Sequence, residues 1–375
     1  MPNFFAQKNG ESTLNIIREL CGIPAPSHKE RRRAEYCLSW LKNAGAEGAY
    51  IDGVDNVIFP LGCEGSREIT VVAAHTDTVF PDTDRYPEFH EDGEKIYCPA
   101  VGDDTASVAV LLMTAKYFID NKITPKGGIL FVLNVCEEGL GDLKGVKQLF
   151  QDYAGKIKQF ITYDGQTGSV VRRAVGSHRY EVTAKTEGGH SFGAFGNRNA
   201  IHVLAEVVNE IYSLPIPEKA GTKTTYNVGI IEGGTSVNTI AEEAKMLCEY
   251  RSDDEECLAE MKVEFERIFA AAQSESASLS VKLVGSRPCK GKVDEKVERA
   301  LVDGYREAVG AVTGEELLFR SGSTDANIPM ANGIAAVCVG VYLGGGMHTR
   351  EEYLIKSSIV PGLEISIRYL LGLTE

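Results

Sequence analysis

Four short apolar runs end in residues that bind cations or move protons. Residues 69–74 (ITVVAA) lead into His75-Thr76-Asp77, and 129–135 (ILFVLNV) into Cys136-Glu137-Glu138-Gly139. Residues 160–163 (FITY) lead into Asp164-Gly165, and 334–341 (IAAVCVGV) are followed, after the glycines 344–346, by His348. A fifth place, Asp103-Asp104, lies just before a helical stretch. Imidazole nitrogen and carboxylate oxygen are donors for zinc and similar divalent ions. Two such ions roughly 3.5–4 Å apart can clamp an attacking water and a substrate oxygen. Such a pair needs a bridging carboxylate, which an Asp on a tight loop can supply. Asp77 lies two residues beyond His75 and points the same way if the strand continues, so it can orient a ligating imidazole.

Each piece also has a plainer reading. His75 could be a polar strand end and Glu137-Glu138 a solvated turn. Asp103-Asp104 could cap a helix, and Asp164 could form a turn. Those readings must hold at five places together, so a metal site is the expectation.

The elements that would position these residues follow from the pattern. The apolar runs are rich in β-branched residues and suit central strands of a parallel sheet buried on both faces. Ligands of such sheets bind beyond the carboxyl ends of the strands. Residues 105–120 repeat their apolar positions with the 3.6 period of a helix, which makes a βαβ unit with the first two runs. Helices are also expected at 13–21 and 28–43, with Gly45 as a stop. The middle of the chain reads differently: strand 178–186, helix 198–213, strands 224–231 and 242–251, helix 255–273, strand 278–284. That βαββαβ order is the ferredoxin-like pattern. The fold class is therefore α/β. A mostly parallel-sheet, metal-binding catalytic domain (1–173 and 288–375) carries an inserted ferredoxin-like lid domain (174–287).

Composition narrows the partners. A formal net charge of −14 disfavours nucleic acid and anionic membrane. Nine cysteines with no CxxC pair read as reduced thiols in the cytoplasm. The N-terminus lacks the pattern of a signal peptide, and no apolar run approaches the ~20 residues that span a bilayer. Arg31-Arg32-Arg33 reads as a solvated helix face.

The motifs His75-Thr76-Asp77-Thr78, Gly102-Asp103-Asp104, Cys136-Glu137-Glu138-Gly139, Tyr163-Asp164-Gly165 and His348-Thr349-Arg350-Glu351-Glu352-Tyr353 together resemble those of peptidase T. Its relatives include carboxypeptidase G, succinyl-diaminopimelate desuccinylase and the aminoacylases. In the middle domain, Gly189-His190-Ser191, Asn199-Ala200-Ile201, the segment 233–240 and Arg251-Ser252 resemble the lid and substrate-contact segments of that family. The resemblance implies two divalent metal ions, most simply zinc, with cobalt or manganese as alternatives. His75 and Asp164 would bind one ion, Glu138 and His348 the other, and Asp103 would bridge them. Asp77 would orient His75. Glu137 would be the general base, moving a proton from the attacking water to the leaving amine. His190 would hydrogen-bond the oxyanion, while Arg251 and Asn238 would hold the substrate, Arg251 by its terminal carboxylate.

The implied activity is that of an aminopeptidase on short peptides, resembling the tripeptidases, because Asp at position 164 is similar to those members. The alternative is an N-acyl amino acid deacylase or carboxypeptidase of the same family. A homodimer through the lid domain is the implied assembly. The chain departs from its relatives at Thr105, where they often carry Lys, and in the lid segment 190–198, which lacks their proline and carries Phe192, Phe195 and Arg198. A competing serine-hydrolase reading rests on Gly189-His190-Ser191-Phe192-Gly193 with Asp325 and His348, and it requires a strand–turn–helix elbow. A non-catalytic binding protein that kept the fold is the remaining rival.

Overall fold

A computed structural model describes residues 1–80 and 89–374. Helices α1 (Pro2–Cys21) and α2 (Arg31–Asn43) open the chain, followed by strands β1 (Tyr50–Ile51), β2 (Val57–Leu61) and β3 (Ile69–His75). Then come β4 (His90–Glu91), β5 (Lys95–Tyr97), α3 (Ser107–Asp120), β6 (Ile129–Asn134), α4 (Lys144–Asp152), β7 (Ile157–Thr167) and β8 (Ser169–Ala174). The middle forms β9 (Gly176–Thr186), β10 (Gly189–His190), α5 (Ala200–Tyr212), β11 (Thr224–Gly233), β12 (Thr239–Ile240), β13 (Glu243–Ser252), α6 (Glu255–Ala271) and β14 (Ala277–Arg287). The last part holds α7 (Glu295–Val312), β15 (Leu318–Gly322), α8 (Asn327–Ala331), β16 (Ala335–Gly340), β17 (Gly344–Gly345), β18 (Tyr353–Ile355) and α9 (Ile359–Thr374). Packing groups these elements into two units, Met1–Ala174 with Gly291–Glu375, and Val175–Lys290.

In the first unit, eight strands form a sheet in the order β1-β2-β6-β3-β7-β16-β8-β15. Its centre, β6-β3-β7-β16, is parallel throughout. Every residue of β3, β6 and β16 is buried, as their unbroken apolar runs require. Alternate side chains of β3 enter two cores. Val72 and Ala74 pack with residues of α1, α3 and α9, while Val71 and Ala73 pack with Val146 and Leu149 of α4.

Two helices differ from the sequence expectation. Helix α1 begins at Pro2 rather than at residue 13, with Pro at its first position, and runs through Gly10. A Cβ at Gly10 would lie 2.5 Å from Val360 Cγ2 of α9. Helix α2 begins at Arg31 rather than 28, since His28 has a positive φ of 72° that ends any helix there. Gly45 closes α2 with a φ of +97°, as expected.

In the second unit, β11-β13-β9-β14 form a four-stranded sheet with antiparallel pairings throughout. Tyr180, Val182 and Ala184 of β9 pack on Val203, Leu204 and Val207 of α5 and on Met261, Phe265 and Ile268 of α6. With the βαββαβ order of its long elements, this is the ferredoxin-like arrangement. Asn199 caps α5 by accepting from the N–H groups of Ile201 and His202. No helix among the described residues is long and apolar enough to cross a membrane.

Gly10→Ala should destabilise the protein by ~1–3 kcal/mol through overpacking against Val360. Gly310→Ala, in a part of α7 where nothing lies within 4 Å of the new Cβ, should stabilise by ~0.5–1 kcal/mol. Thermal melts of the two variants check the contrast.

Candidate metal centre

The carboxyl ends of the central strands deliver the proposed donors. His75 is the last residue of β3 and pairs in register with Asn134, the last of β6. Beyond β6, Cys136 takes a positive φ of 59° and turns the chain into Glu137-Glu138. Asp164 lies inside β7 rather than in a turn. His348 follows β17 and has a φ of 63°. The N-cap position of α3 is Ala106, and no side chain caps it, so Asp103 and Asp104 are not there as caps.

Asp103 lies between the two imidazoles. Its Oδ1 is 3.0 Å from His75 Nε2, and its Oδ2 is 3.1 Å from His348 Nε2. Glu138 Oε1 lies 3.3 Å from the same His348 nitrogen. The donor atoms of His75, Asp103 and Glu138 are all within 4.8 Å of one another, as are those of His75, Asp104 and Asp164. All of these but Asp104 have an expected role from the sequence. Asp104 is fully buried, and its Oδ2 accepts the backbone N–H of His75 at 3.1 Å.

The groups behind the donors act mainly through backbone. His75 Nδ1 faces the carbonyl oxygen of Asp77 at 3.1 Å, with the Asp77 carboxylate at 3.5 Å. Two acceptors on that side hold a proton on Nδ1, so Nε2, which donates to Asp103 in this structure, is the nitrogen that a cation would take in place of its proton. The Asp77 carboxylate itself accepts the N–H groups of Glu137 and Glu138, each at 2.9 Å, and the Ser27 hydroxyl at 2.6 Å. Asp77 thus holds the Glu137-Glu138 segment as well as His75. Glu352 does the same for the Asp103 loop, accepting N–H groups from Ala100 (2.9 Å), Gly102 (2.9 Å) and Asp103 (2.8 Å). Neither Ser27 nor Glu352 carried a role in the sequence reading, since each acts on groups far away in sequence.

The reading of Arg31-Arg32-Arg33 as a solvated face fails at Arg33. Arg31 is 57% exposed, but Arg33 is 1% exposed and donates to carbonyl groups. A helix turns 100° per residue, so consecutive arginines cannot share one environment.

The ferredoxin-like unit holds the remaining predicted residues. His190 Nδ1 accepts the N–H groups of Phe192 and Gly193, both at 3.3 Å. Asn238 contributes its carbonyl to the Ser191 N–H at 2.9 Å. Arg251 is forked onto Glu249, with Nε at 2.6 Å and Nη2 at 3.0 Å. Ser191 follows the two-residue strand β10, and α5 starts only at Ala200, so the elbow of a serine hydrolase is absent. Phe192 and Phe195 are 89% and 90% exposed.

The charges of the first unit do not balance within this cluster. Burial and the charge of Asp103 push the Asp164 carboxyl up to about 7. Burial raises Asp104 well above the usual carboxylate range, and its Oδ1 has no hydrogen-bond partner among the described residues. Hydrogen bonds that His348 donates to Asp103 and Glu138 raise its imidazole to about 11. Crowded carboxylates, an orphaned buried oxygen and two imidazoles fit divalent cations by donor chemistry.

Imidazole and carboxylate donors gathered beyond the carboxyl ends of a mostly parallel sheet suit a divalent-cation site. Residues 71–372 match the model of peptidase family M20/M25/M40, and the chain belongs to that family. Carboxypeptidase G2 of Pseudomonas sp. (strain RS-16) is 25% identical over 347 residues, covering 89% of this chain and 81% of its own. Aminopeptidase PepT from Bacillus cereus ATCC 10987 has a similar crystal structure, with a TM-score of 0.71 at 21% identity over 98% of this chain and 99% of that one. The YXEP protein of Bacillus subtilis, a dinuclear metal binding peptidase of the M20 family, gives a TM-score of 0.65 at 14% identity over 98% and 99% of the two chains. At these identities the two solved structures show the fold.

Asp164 and, through burial, Glu352 both have pKa values raised to about 7 in the folded, cation-free protein. Unfolded carboxyls titrate near ~4, so these two contribute stability that is full below that value and lost as pH rises through about 7. The Tm of chelated protein should therefore fall between about pH 4 and about pH 7, and saturating divalent cation should restore most at the upper end. Glu352→Gln should flatten that fall and weaken cation affinity by about tenfold. A Tm that does not change with pH or cation would count against the crowded centre.

Proposed function

We propose that the chain is a two-metal peptidase that removes the N-terminal residue of short peptides, as a tripeptidase does. The observation that carries the metal reading is Asp103, whose two oxygens lie between His75 and His348. In this reading His75 and Asp164 would hold one ion and Glu138 and His348 the other, with Asp103 offering an oxygen to each. Asp104 is a further candidate on the His75 and Asp164 side. Zinc suits the donors best, with cobalt or manganese able to replace it. When bound, the ions supply Lewis acidity for the substrate carbonyl and lower the pKa of the attacking water.

The chain's own residues then handle protons and orientation. Glu137 is buried, and its N–H is held by Asp77, so its carboxylate can serve as a fixed base. It takes a proton from the water and returns it to the leaving amine. His190, with Nδ1 accepting two backbone N–H groups, carries its proton on Nε2 and can donate to the developing oxyanion. Such a donor is worth ~3–4 kcal/mol of barrier. It acts from the same chain or from a second copy in a homodimer. Asn238 and Arg251 hold the substrate, and a substrate carboxylate at Arg251 must share that guanidinium with Glu249. Nine free thiols, eight of them buried, favour a reducing cytoplasmic setting.

The sequence likeness to carboxypeptidase G2 favours a second reading, a carboxypeptidase or N-acyl amino acid deacylase with the same chemistry. One experiment separates them. Purified protein is assayed on di- and tripeptides and their N-acetylated forms, before and after chelation and cation add-back. Chelator-sensitive release of the free N-terminal residue is the expected result. Preference for acetylated substrates would replace the aminopeptidase reading with its alternative. Glu137→Gln should keep its metal and lose about 10²–10⁴-fold in kcat, which metal analysis and initial rates check.

A further inference from the structure

Arg33 is a buried cation that spans two of the donor-bearing segments. Its Nε donates to the Ile23 carbonyl at 2.8 Å, and Nη2 to the Leu20 carbonyl at 3.1 Å. Its Nη1 donates to the Thr76 carbonyl at 3.0 Å and to the Thr105 hydroxyl at 3.2 Å. Thr76 is the residue between His75 and Asp77, and Thr105 directly follows Asp103-Asp104. Both threonines are fully buried. Thr76 is tied a second time to β6, because its N–H and hydroxyl reach the Asn134 carbonyl at 2.8 and 2.9 Å.

We propose that Arg33 and Thr105 are positioning residues of the metal centre. One planar guanidinium sets the separation of the His75–Asp77 segment from the Asp103-Asp104 segment. The inference rests on the reading that those segments carry the metal donors. Three features favour Arg for the task. Its N–H groups diverge in a fixed plane, so one head group can serve several acceptors at defined angles. Its charge is permanent, which suits a place beside many carboxylates. The Leu20 carbonyl lies in the last turn of α1, where the helix dipole favours a cation. Lys at 33 would keep the charge but lose the fork. Val at 105 would keep the shape but remove the acceptor.

The test is cobalt binding to chelated protein, read by calorimetry and by the visible absorption of the bound ion, for wild type, Thr105→Val, Arg33→Lys and Arg31→Met. Circular dichroism at 25 °C first establishes that each variant is folded. Thr105→Val should weaken cobalt binding by about 3–10-fold and Arg33→Lys by about 10–100-fold, both with altered spectra, since groups that orient metal ligands have effects of about that size. Arg31→Met, on the exposed side of the same helix, should change neither. A merely structural Arg33 would lower Tm while leaving affinity within twofold and the spectrum unchanged, and that result would overturn the proposal. If Arg33→Lys does not fold, Thr105→Val decides by the same criterion. Wild type that binds no cobalt would overturn the metal-centre reading itself, and the positioning role with it.

Discussion

Negative charge crowded into a buried place is the constraint on which the first unit depends. Asp77, Asp103, Asp104, Glu137 and Glu138 are buried, and Asp164 lies beside them. Ionised carboxylates at such separations repel strongly where water is scarce. Two imidazoles offset part of this, and Asp103 is held below the usual carboxylate range, against the effect of its burial, by hydrogen bonds from His348 and His75. Asp164 and Asp104 are displaced the other way. A site that pushes similar groups in opposite directions is suited to binding cations and to holding one carboxylate as a base.

The means of holding these groups together is chiefly backbone. The Asp77 carboxylate grips the amides of Glu137 and Glu138, the Glu352 carboxylate grips those of Ala100, Gly102 and Asp103, and Arg33 grips the Thr76 carbonyl beside His75. Carboxylates that accept several N–H groups fix a loop without adding side-chain freedom to the site. The parallel sheet makes this economical. It brings the ends of β3, β6, β7 and β16 to one edge, where short loops need only small corrections to aim a donor.

The ferredoxin-like unit is built on different terms. Its sheet is covered on one side by α5 and α6, and its functional candidates lie on strand ends and turns. The turn after His190 fixes the imidazole tautomer through two amides, a local device that needs only the residues 190–193. Arg251 is oriented by Glu249, whose carboxylate also accepts from Arg179, so one carboxylate is shared between two guanidinium groups.

Much of this was legible in the sequence. Unbroken apolar runs identified β3, β6 and β16, because a strand buried on both faces has no polar side to show. The candidate donors were legible because His75, Glu138, Asp164 and His348 follow apolar runs and Asp103 precedes a helix. The α1 start was not, since Gly10 in a helix is explained only by the nearness of Val360. Nor were Ser27, Glu352 and the burial of Arg33, whose partners lie 50, about 250 and 43 residues away. The sequence by itself determined which residues are candidates to bind cations and which elements carry them, because periodicity and residue chemistry are local properties. Tertiary structure alone decided that Asp103 lies between two histidines, that Asp104 joins the cluster and that a buried arginine ties its segments together. Those facts depend on distances between strands that no local pattern encodes.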